Sequence, residues 1–572
     1  MASNHVVGVR SSQGRPLLNN CSTPNLVFDN TKPNIILLAD ASEPVLMTKT
    51  FGVYKVAHEL RRAGFECAVI HHLHVFEYEE IKHMLSHLIS NKTLFVGFST
   101  FFYHPCQTDQ FYNSVLTDRQ WSSDAVASAG PMLPHGAEFN TDLVAHIKSI
   151  NPECVTVLGG PNAVDKKHNR MFDYVVVGYA DLSAVNLAQH LLDGTPLEKS
   201  YRSLWGFTVM NDAKASGFDF GNSTMTYEEH DAILPGETMQ IEVSRGCIFQ
   251  CAYCSFPLNG KHKLDFIRSE QRLREEFMHN YERWGVTRYM FLDDTFNDSV
   301  DKCALMQKVA ESLPFKLEYW AYIRLDLVAA HPETAEMLIR SGLRAATFGI
   351  ETWHKKAGAT VGKGAPQDRQ IATLHRLKEL AGNKIMMQAN FIVGLPHEPP
   401  TSVLKTFQFL TSDNNPIDSW TFIPFALENA RNSNHGGDFS KIALDPEKYG
   451  YTVLGELDAN KLDWKTDHFD WTSAKQLADR LNILGFRNPQ LKLNGRIVFE
   501  FASLGVDHSP YINKSLLEFN SSIWNLIYQQ KRHRARAYKD LLCKKLNIPT
   551  WAQSLPARMP EQLTVNTNSS KI

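Results

Sequence analysis

Two series of short apolar runs constrain the fold of this 572-residue chain more than any other feature. Each run is rich in aliphatic and β-branched residues, and helical patterns lie between the runs. Strands that are apolar along their whole length are buried on both faces, and alternation with helices is typical of parallel sheets. The sequence therefore predicts an α/β protein, and its length predicts roughly three or four domains.

The first series lies in the N-terminal third of the chain. Its predicted strands begin near Asn34, Phe65, Leu94, Val155 and Tyr174. They predict a doubly wound, Rossmann-like domain over residues 32–194, whose ligand would bind outside the carboxyl ends of the strands. The predicted contacts at those ends are Ser99, Thr100, Gly159, Gly160 and Gly178. A tight strand-to-helix turn explains the glycine pair equally well.

Three cysteines, Cys247, Cys251 and Cys254, stand in a loop after a predicted strand with the spacing Cys-x3-Cys-x2-Cys. Nine cysteines in the whole chain are too few for a disulfide scaffold. Without an apolar leader or a membrane-spanning run, the chain is expected to be cytoplasmic, where clustered thiols indicate metal or redox chemistry. A structural zinc site needs a fourth ligand, and no second cysteine pair is evident.

The second series follows the cysteines and, with the strand before Cys247, gives six predicted strands. Repeated strand–helix units of this kind predict an incomplete parallel barrel whose active site lies at the carboxyl ends of its strands. The residues at or near those ends that are candidates for the site are Asp293, Asp294, Arg324, Glu351 and Ile392. Each charged residue among them, taken singly, is as typical of a salt bridge or a helix cap as of a SAM contact.

Together, the cysteine loop and these strand ends resemble the radical S-adenosylmethionine (SAM) family over residues 237–428. The resemblance implies a partial (β/α)6 barrel and a 4Fe–4S cluster on the three cysteines, with one iron open to chelate SAM and cleave it reductively to a 5′-deoxyadenosyl radical. It also implies contacts to SAM. Asp293 and Asp294 would contact the methionyl amino group, and Arg324 and Glu351 would contact the carboxylate and the ribose. Tyr253 and Ile392 would contact the adenine.

The N-terminal domain resembles the cobalamin-binding domain that precedes many radical SAM cores. Cobalamin domains that ligate cobalt from below carry Asp-x-His-x-x-Gly after the first strand, whereas here Asp40 is followed by Ala41 and Ser42. The resemblance therefore implies cobalamin without a lower histidine, as in the cobalamin-dependent radical SAM subgroup, although some relatives keep the domain without the cofactor. An insertion over residues 104–139 is predicted to be a lid, or else a disordered surface excursion.

The rest of the chain is predicted to comprise an N-terminal extension (1–31), a linker (195–236), a mainly helical substrate or accessory region (429–555) and a disordered tail (556–572). Basic residues at 531–539 fit a solvated helix face as well as contact with RNA phosphates. With a net charge of −2 and 21% charged residues, the composition gives no support for a nucleic-acid partner.

These features predict a cobalamin-dependent methyltransferase that acts on an unactivated carbon or phosphorus of a small molecule or peptide. It would need an external electron donor such as flavodoxin or ferredoxin. No membrane is expected among its partners. The first alternative is a radical SAM cyclase, oxidoreductase or mutase without methyl transfer. More distant alternatives are an RNA-modifying methylthiotransferase, which would need a second cysteine triad, and a metal-binding protein that is not an enzyme.

Overall fold

The structure is a computed structural model. It describes residues 32–40, 48–76, 78–99, 133–160, 163, 165–212, 217–255, 266–382, 384–430, 439–458, 461–487, 497–506, 530 and 533–549. Within these ranges the side chains of residues 74, 133–140, 168, 212 and 486–500 are not described. The predicted insertion therefore lies outside the described residues up to position 132, as do the predicted extension and tail.

The N-terminal domain is built on a seven-stranded sheet in the order β2-β1-β3-β4-β5-β7-β6. Its strands are β1 (Ile35–Leu38), β2 (Cys67–Ile70), β3 (Phe95–Ser99), β4 (Val155–Gly160), β5 (Tyr174–Gly178), β6 (Ser200–Arg202) and β7 (Thr208–Asp212). All pairs are parallel except β6–β7 at one edge. The order confirms the predicted doubly wound, Rossmann-like sheet.

Helices cover both faces of this sheet. They are α1 (Phe51–Arg62), α2 (Tyr78–Leu88), α3 (Leu133–Ile150) and α4 (Ser183–Asp193). Ile35 and Leu37 join the core with α1 and α4, whereas Ile36 and Leu38 join the core with α2 and α3. This burial on both faces explains why the strands are apolar along their length.

The prediction of a linker over residues 195–236 was wrong. Thr208–Asp212 forms β7, which pairs with β5 and extends the N-terminal sheet. Val209 is fully buried and Met210 is 3% exposed, so this short run contributes to the core. The run is too short, and its flanks too polar, to stand out as a strand from the sequence pattern alone.

The second domain is a six-stranded, all-parallel sheet in the order β13-β12-β11-β10-β9-β8. Its strands are β8 (Met239–Ile241), β9 (Arg288–Phe291), β10 (Glu318–Ile323), β11 (Leu343–Glu351), β12 (Met386–Val393) and β13 (Ser419–Pro424). Its helices are α5 (Glu270–Trp284), α6 (Val300–Glu311), α7 (Leu325–Ala330), α8 (Glu333–Arg340), α9 (Lys355–Val361), α10 (Gln367–Leu380) and α11 (Pro400–Leu410). The predicted six-stranded partial barrel is confirmed.

Side-chain alternation along these strands separates the core from the lumen. Residues such as Phe291 and Phe348 lie in the core beneath the outer helices. The alternate residues face the lumen, since successive side chains in a strand point to opposite faces. At the amino end of the barrel Trp320 and Met386 pack with Phe501 from α14 (Ile497–Leu504), which closes that end.

The described part of the C-terminal region contains more helix than strand, and its strands form a small antiparallel sheet that the sequence pattern did not predict. It contains α12 (Lys441–Leu444), α13 (Trp471–Arg487), a helix over residues 533–545 that we label α15, and an antiparallel sheet of β14 (Leu427–Glu428), β16 (Lys461–Lys465) and β15 (Thr452–Asp458). Trp464 on β16 is fully buried, and its Nε1 donates to the Phe425 carbonyl at 3.0 Å. The hairpin is therefore anchored at the carboxyl end of β13.

The two α/β domains contact each other through buried polar groups. Lys49 after β1 forms an ion pair of 2.7 Å with Glu237, just before β8. The Phe51 N–H at the start of α1 donates to the Gln240 side chain at 3.0 Å. None of the helices within the described ranges is long and apolar enough to cross a membrane.

Candidate active site

The loop that carries Cys247, Cys251 and Cys254 begins directly after β8 and is held from below by one buried carboxylate. Asp293, which is 1% exposed, accepts hydrogen bonds from the N–H groups of Val243 (3.0 Å) and Ser244 (2.7 Å). These bonds fix the point where the chain leaves the barrel and enters the loop.

A buried lysine neutralises this carboxylate. Lys302 on α6 has its Nζ 2.7 Å from Asp293 and donates to the Ser244 hydroxyl at 2.6 Å. Burial alone would lower its pKa, but Asp293 and Asp298 raise the pKa of Lys302 above its usual range. Because both Asp293 oxygens accept hydrogen bonds from the loop, we assign Asp293 a positioning role. Contact with the methionyl amino group stays a prediction for Asp293 and Asp294.

The thiols lie among groups that stabilise thiolate charge. The Phe249 N–H donates to Cys247 Sγ at 3.4 Å, and Arg324 Nη1 lies 3.4 Å from Cys251 Sγ. Burial raises the pKa of the Cys247 thiol. A metal centre would have to overcome this shift, because the thiolate is the form that binds metal.

Arg324 joins the cysteine loop to neighbouring elements. Its guanidinium stacks 3.9 Å from the Phe249 ring centroid, donates to the Gly362 carbonyl at 2.6 Å, and pairs with Asp326 at 2.9 Å. Burial by itself would lower the pKa of Arg324, but the ion pair with Asp326 outweighs this effect and raises the pKa. Arg324 therefore stays charged. Contact with the SAM carboxylate stays a prediction for Arg324.

The segment after α9 braces the back of the loop, and the sequence patterns did not reveal it. The Ala252 N–H donates to the Val361 carbonyl at 3.0 Å. Lys363 Nζ donates to the Gly349 carbonyl at 2.7 Å and lies 3.8 Å from Glu351. The signal that was available is Gly362-Lys363-Gly364, a lysine flanked by glycines.

Two predicted SAM contacts, Tyr253 and Glu351, are brought together. The Tyr253 hydroxyl donates to Glu351 Oε1 at 2.9 Å, and burial raises the pKa of Glu351. Glu351 has φ +67°, at a bulge between β11 and β12. A non-glycine residue rarely adopts this conformation, and such residues cluster at functional sites. The pair lies where the cysteine loop meets the end of β11.

The neighbouring strand β12 ends in a loop that is tied to the end of β11. Ile392, the predicted adenine contact, is half-buried and faces the lumen. Beyond it, Glu398 is 2% exposed and accepts hydrogen bonds from Thr352 Oγ1 (2.8 Å) and Ser402 Oγ (3.0 Å). Since Thr352 follows Glu351 directly, Glu398 fixes the two strand ends relative to each other.

At the carboxyl edge of the N-terminal sheet the strands end in small residues. Gly160 has φ +106° and Gly178 has φ +90°, and a Cβ added to Gly159 would meet no atom within 4 Å. Ser99 is half-buried, whereas Thr100 lies outside the described residues. These strand ends leave backbone open to a bulky ligand, and the predicted contacts there stay predictions.

One ion pair joins this edge to the cysteine loop. Arg245, two residues before Cys247, pairs with Asp181 after β5 at 2.7 Å and with Glu242 at 3.0 Å. The Tyr179 ring packs 4.7 Å from the guanidinium carbon. The open edge of the first domain therefore lies next to the mouth of the barrel.

The three cysteines are residues of the type that holds an iron–sulfur cluster. In the described ranges no three His, Cys, Asp or Glu side chains converge closely enough to hold one ion. The thiols of a 4Fe–4S cluster bind different irons and lie farther apart than the ligands of one ion. Three cysteines on one short loop, with Arg324 beside one thiol, suit that arrangement.

Comparisons with known proteins find similarity over the part of the chain that contains the cysteine loop. Residues 241–410 match the model of the Radical SAM superfamily. The uncharacterized methyltransferase PH0819 of Pyrococcus horikoshii is 24% identical over 293 residues, which cover 48% of this chain and 61% of that protein. The chain thus spans about three-fifths of the length of this curated relative.

Solved structures show the same fold. The radical SAM methyltransferase TsrM from Kitasatospora setae, with tryptophan and a SAM analogue bound, has a TM-score of 0.52 at 15% identity, covering 74% of this chain and 78% of that chain. The cobalamin-dependent radical SAM enzyme OxsB, with aqua-cobalamin and SAM bound, also has a TM-score of 0.52, at 12% identity, covering 90% and 79%. At these identities the likeness establishes the fold alone.

Proposed function

We propose, from the premise that this chain is a radical SAM enzyme, that it is a cobalamin-dependent methyltransferase acting at an unactivated carbon or phosphorus. The observation that carries the proposal is the contact between its two ligand edges. The Arg245–Asp181 pair holds the loop of Cys247 against the end of β5, which pairs with β4, where a Cβ added to Gly159 would meet no atom within 4 Å. A methyl donor on one edge would therefore stand next to a radical generated at the other.

Several residues of the chain would hold SAM. Cys247, Cys251 and Cys254 would ligate the cluster, which supplies the electron that cleaves the bound sulfonium. Asp294 would bind the methionyl amino group, and Glu351 would accept a ribose hydroxyl bond. The rigid cysteine loop, with Asp293 and Lys302 beneath it, keeps these groups in register, so orientation is fixed before the electron arrives.

The N-terminal domain would hold cobalamin over the ends of β3, β4 and β5. When bound, cobalamin supplies a transferable methyl group, and the chain supplies orientation. Ser99, Gly159, Gly160 and Gly178 would present backbone and small side chains to the corrin. The name of the curated relative and the printed titles of the solved neighbours support methyl transfer and cobalamin here.

The test is reconstitution with iron, sulfide and hydroxocobalamin under anaerobic conditions, followed by desalting and metal analysis. We expect about four irons and about one cobalt per chain. Incubation with a cell extract and with SAM labelled in its methyl group should give a labelled small molecule or peptide, detected by mass spectrometry. Retention of iron without cobalt would contradict the cobalamin assignment and favour radical chemistry without methyl transfer.

A further inference from the structure

The barrel lumen contains one polar layer, formed by Tyr322, Thr347, Gln388 and Ser419, which we call the lumen layer. These residues are register partners across β10, β11, β12 and β13. The row beneath it, towards the amino end, is apolar and includes Trp320 and Met386. The layer is therefore the floor of the space beneath the predicted SAM site.

The alternation of the strands shows that these side chains face inwards. Their sequence neighbours Ala321, Phe348, Ala389 and Trp420 lie in the core beneath the outer helices. In a strand the next residue points to the opposite face, which here is the lumen. Tyr322 is 39% exposed, so open space lies above this floor.

Two buried polar atoms in the layer have no hydrogen-bond partner among the described residues. Gln388 is 3% exposed, and its Nε2 donates to Asn390 Oδ1 at 3.3 Å, but none of the described residues donates to its Oε1. Ser419 is fully buried, and its Oγ likewise has no partner among the described residues. Buried polar atoms are rarely left unpaired, because losing water without a replacement costs free energy.

The layer is also electrically neutral. Its hydrogen-bonding groups are an amide and three hydroxyls, and Thr347 already accepts from Trp320 Nε1 at 3.2 Å. A charged ligand group placed here would lose its hydration without gaining an opposite charge, so the site disfavours it.

We infer that the lumen layer binds a neutral, hydrogen-bonding group of the substrate, a carboxamide or an amide-like ring, with an N–H donated to Gln388 Oε1. This inference rests on the proposed function, because the group belongs to the molecule that the barrel modifies. Tyr322 and Trp320, whose ring centroids are 4.8 Å apart, supply an aromatic wall for a flat group. The competing outcome is that the layer holds an ordered water only.

Three small probes of similar shape test the inference on the iron-reconstituted full chain. They are benzamide, N,N-dimethylbenzamide, which lacks the N–H, and benzoate, which is charged. Binding is measured by saturation-transfer NMR and competition titration. We expect benzamide to bind at least about tenfold more tightly than the other two. Equal or tighter binding of benzoate, or no binding of benzamide, would overturn the inference.

Substitutions locate the binding. Gln388→Met keeps the length of the side chain and should weaken benzamide binding about tenfold, and Ser419→Ala should weaken it by a smaller factor. The matched control is Gln370→Met, which removes an equally buried glutamine on α10 whose Nε2 donates to the Ala365 carbonyl. Unchanged benzamide affinity in Gln388→Met would also overturn the inference.

The same preparation separates this inference from the proposed function. Wild-type SAM affinity in Gln388→Met would show that the variant is folded. Formation of 5′-deoxyadenosine reports radical chemistry and can be measured without any substrate. If benzamide binds selectively but no 5′-deoxyadenosine forms, the proposed function fails and the neutral subsite stands. If 5′-deoxyadenosine forms but benzamide does not bind, only the subsite fails.

Discussion

At the scale of single residues, Glu398 shows how a buried carboxyl group can link two parts of a site. It lies beyond β12 and accepts two hydroxyl hydrogen bonds, one of them from Thr352 after Glu351. Burial raises its pKa to about 7. Both bonds are donated to one carboxyl oxygen, so a neutral side chain of the same shape can accept them.

Glu398→Gln should change how stability depends on pH. A carboxyl group with a raised pKa in the folded state stabilises the fold below about pH 4.5, and this stabilisation is lost as pH rises through about 7. Wild type should therefore lose up to about 3 kcal/mol relative to Glu398→Gln between pH 4.5 and 8. Urea unfolding at several pH values measures this, and parallel pH profiles would contradict it.

A second prediction at this scale concerns the carboxylate under the cysteine loop. Asp293→Asn leaves the buried Lys302 charge with Asp298, 3.7 Å away, as its one carboxylate partner among the described residues. We expect a loss of about 2–4 kcal/mol in unfolding free energy and fewer irons after reconstitution. The double variant Asp293→Asn/Lys302→Met should recover part of the stability. A single variant with wild-type stability and full iron content would contradict the positioning role.

At the scale of secondary structure, the end of β12 depends on the β15–β16 hairpin. Gly394 follows β12 with φ +96°, and an added Cβ would overlap the Trp464 side chain. Tyr451 also donates to the Gly394 carbonyl at 2.8 Å. The hairpin thus fixes the strand that carries Ile392.

Gly394→Ala should therefore be destabilising by about 3 kcal/mol, from the strained backbone and the overlap with Trp464. The control is Gly52→Ala on α1, where an added Cβ meets nothing within 4 Å and should be neutral or stabilising. Thermal unfolding compares the two. Equal melting temperatures for both variants would show that the hairpin does not constrain this strand.

The sequence was sufficient to predict elements whose pattern is local. The six barrel strands and the first five strands of the N-terminal sheet were recognised because long apolar runs are buried on both faces. It was insufficient where partners distant in sequence decide the structure. Thr208–Asp212 becomes a strand only because β5 offers an edge, and the bulge at Glu351 and the approach of Lys363 depend on how β11 meets α9.

At the scale of the whole molecule, two buried ion pairs join the domains. These are Lys49–Glu237 and Arg245–Asp181, and in each the side chains are at most 5% exposed. The second pair lies between the proposed cobalamin edge and the cysteine loop. It connects the two proposed half-sites directly.

Asp181→Asn should therefore separate two activities. In the proposed function SAM cleavage needs only the barrel, so 5′-deoxyadenosine formation should stay within about twofold of wild type. Methyl transfer needs both edges in register, so it should fall at least about tenfold, since small displacements in geometry are costly to rate. Quantifying both products in one reaction tests this. An equal loss of both would place Asp181 in the cluster site instead.

The central claim is that the cysteine loop supports reductive cleavage of SAM. The most direct measurement is 5′-deoxyadenosine formed from SAM and dithionite under anaerobic conditions, after reconstitution with iron and sulfide. The account predicts about four irons per chain and product from wild type, and neither full iron content nor product from Cys247→Ala, Cys251→Ala or Cys254→Ala. Product that persists in any of these variants, or none from the fully loaded wild type, would contradict it.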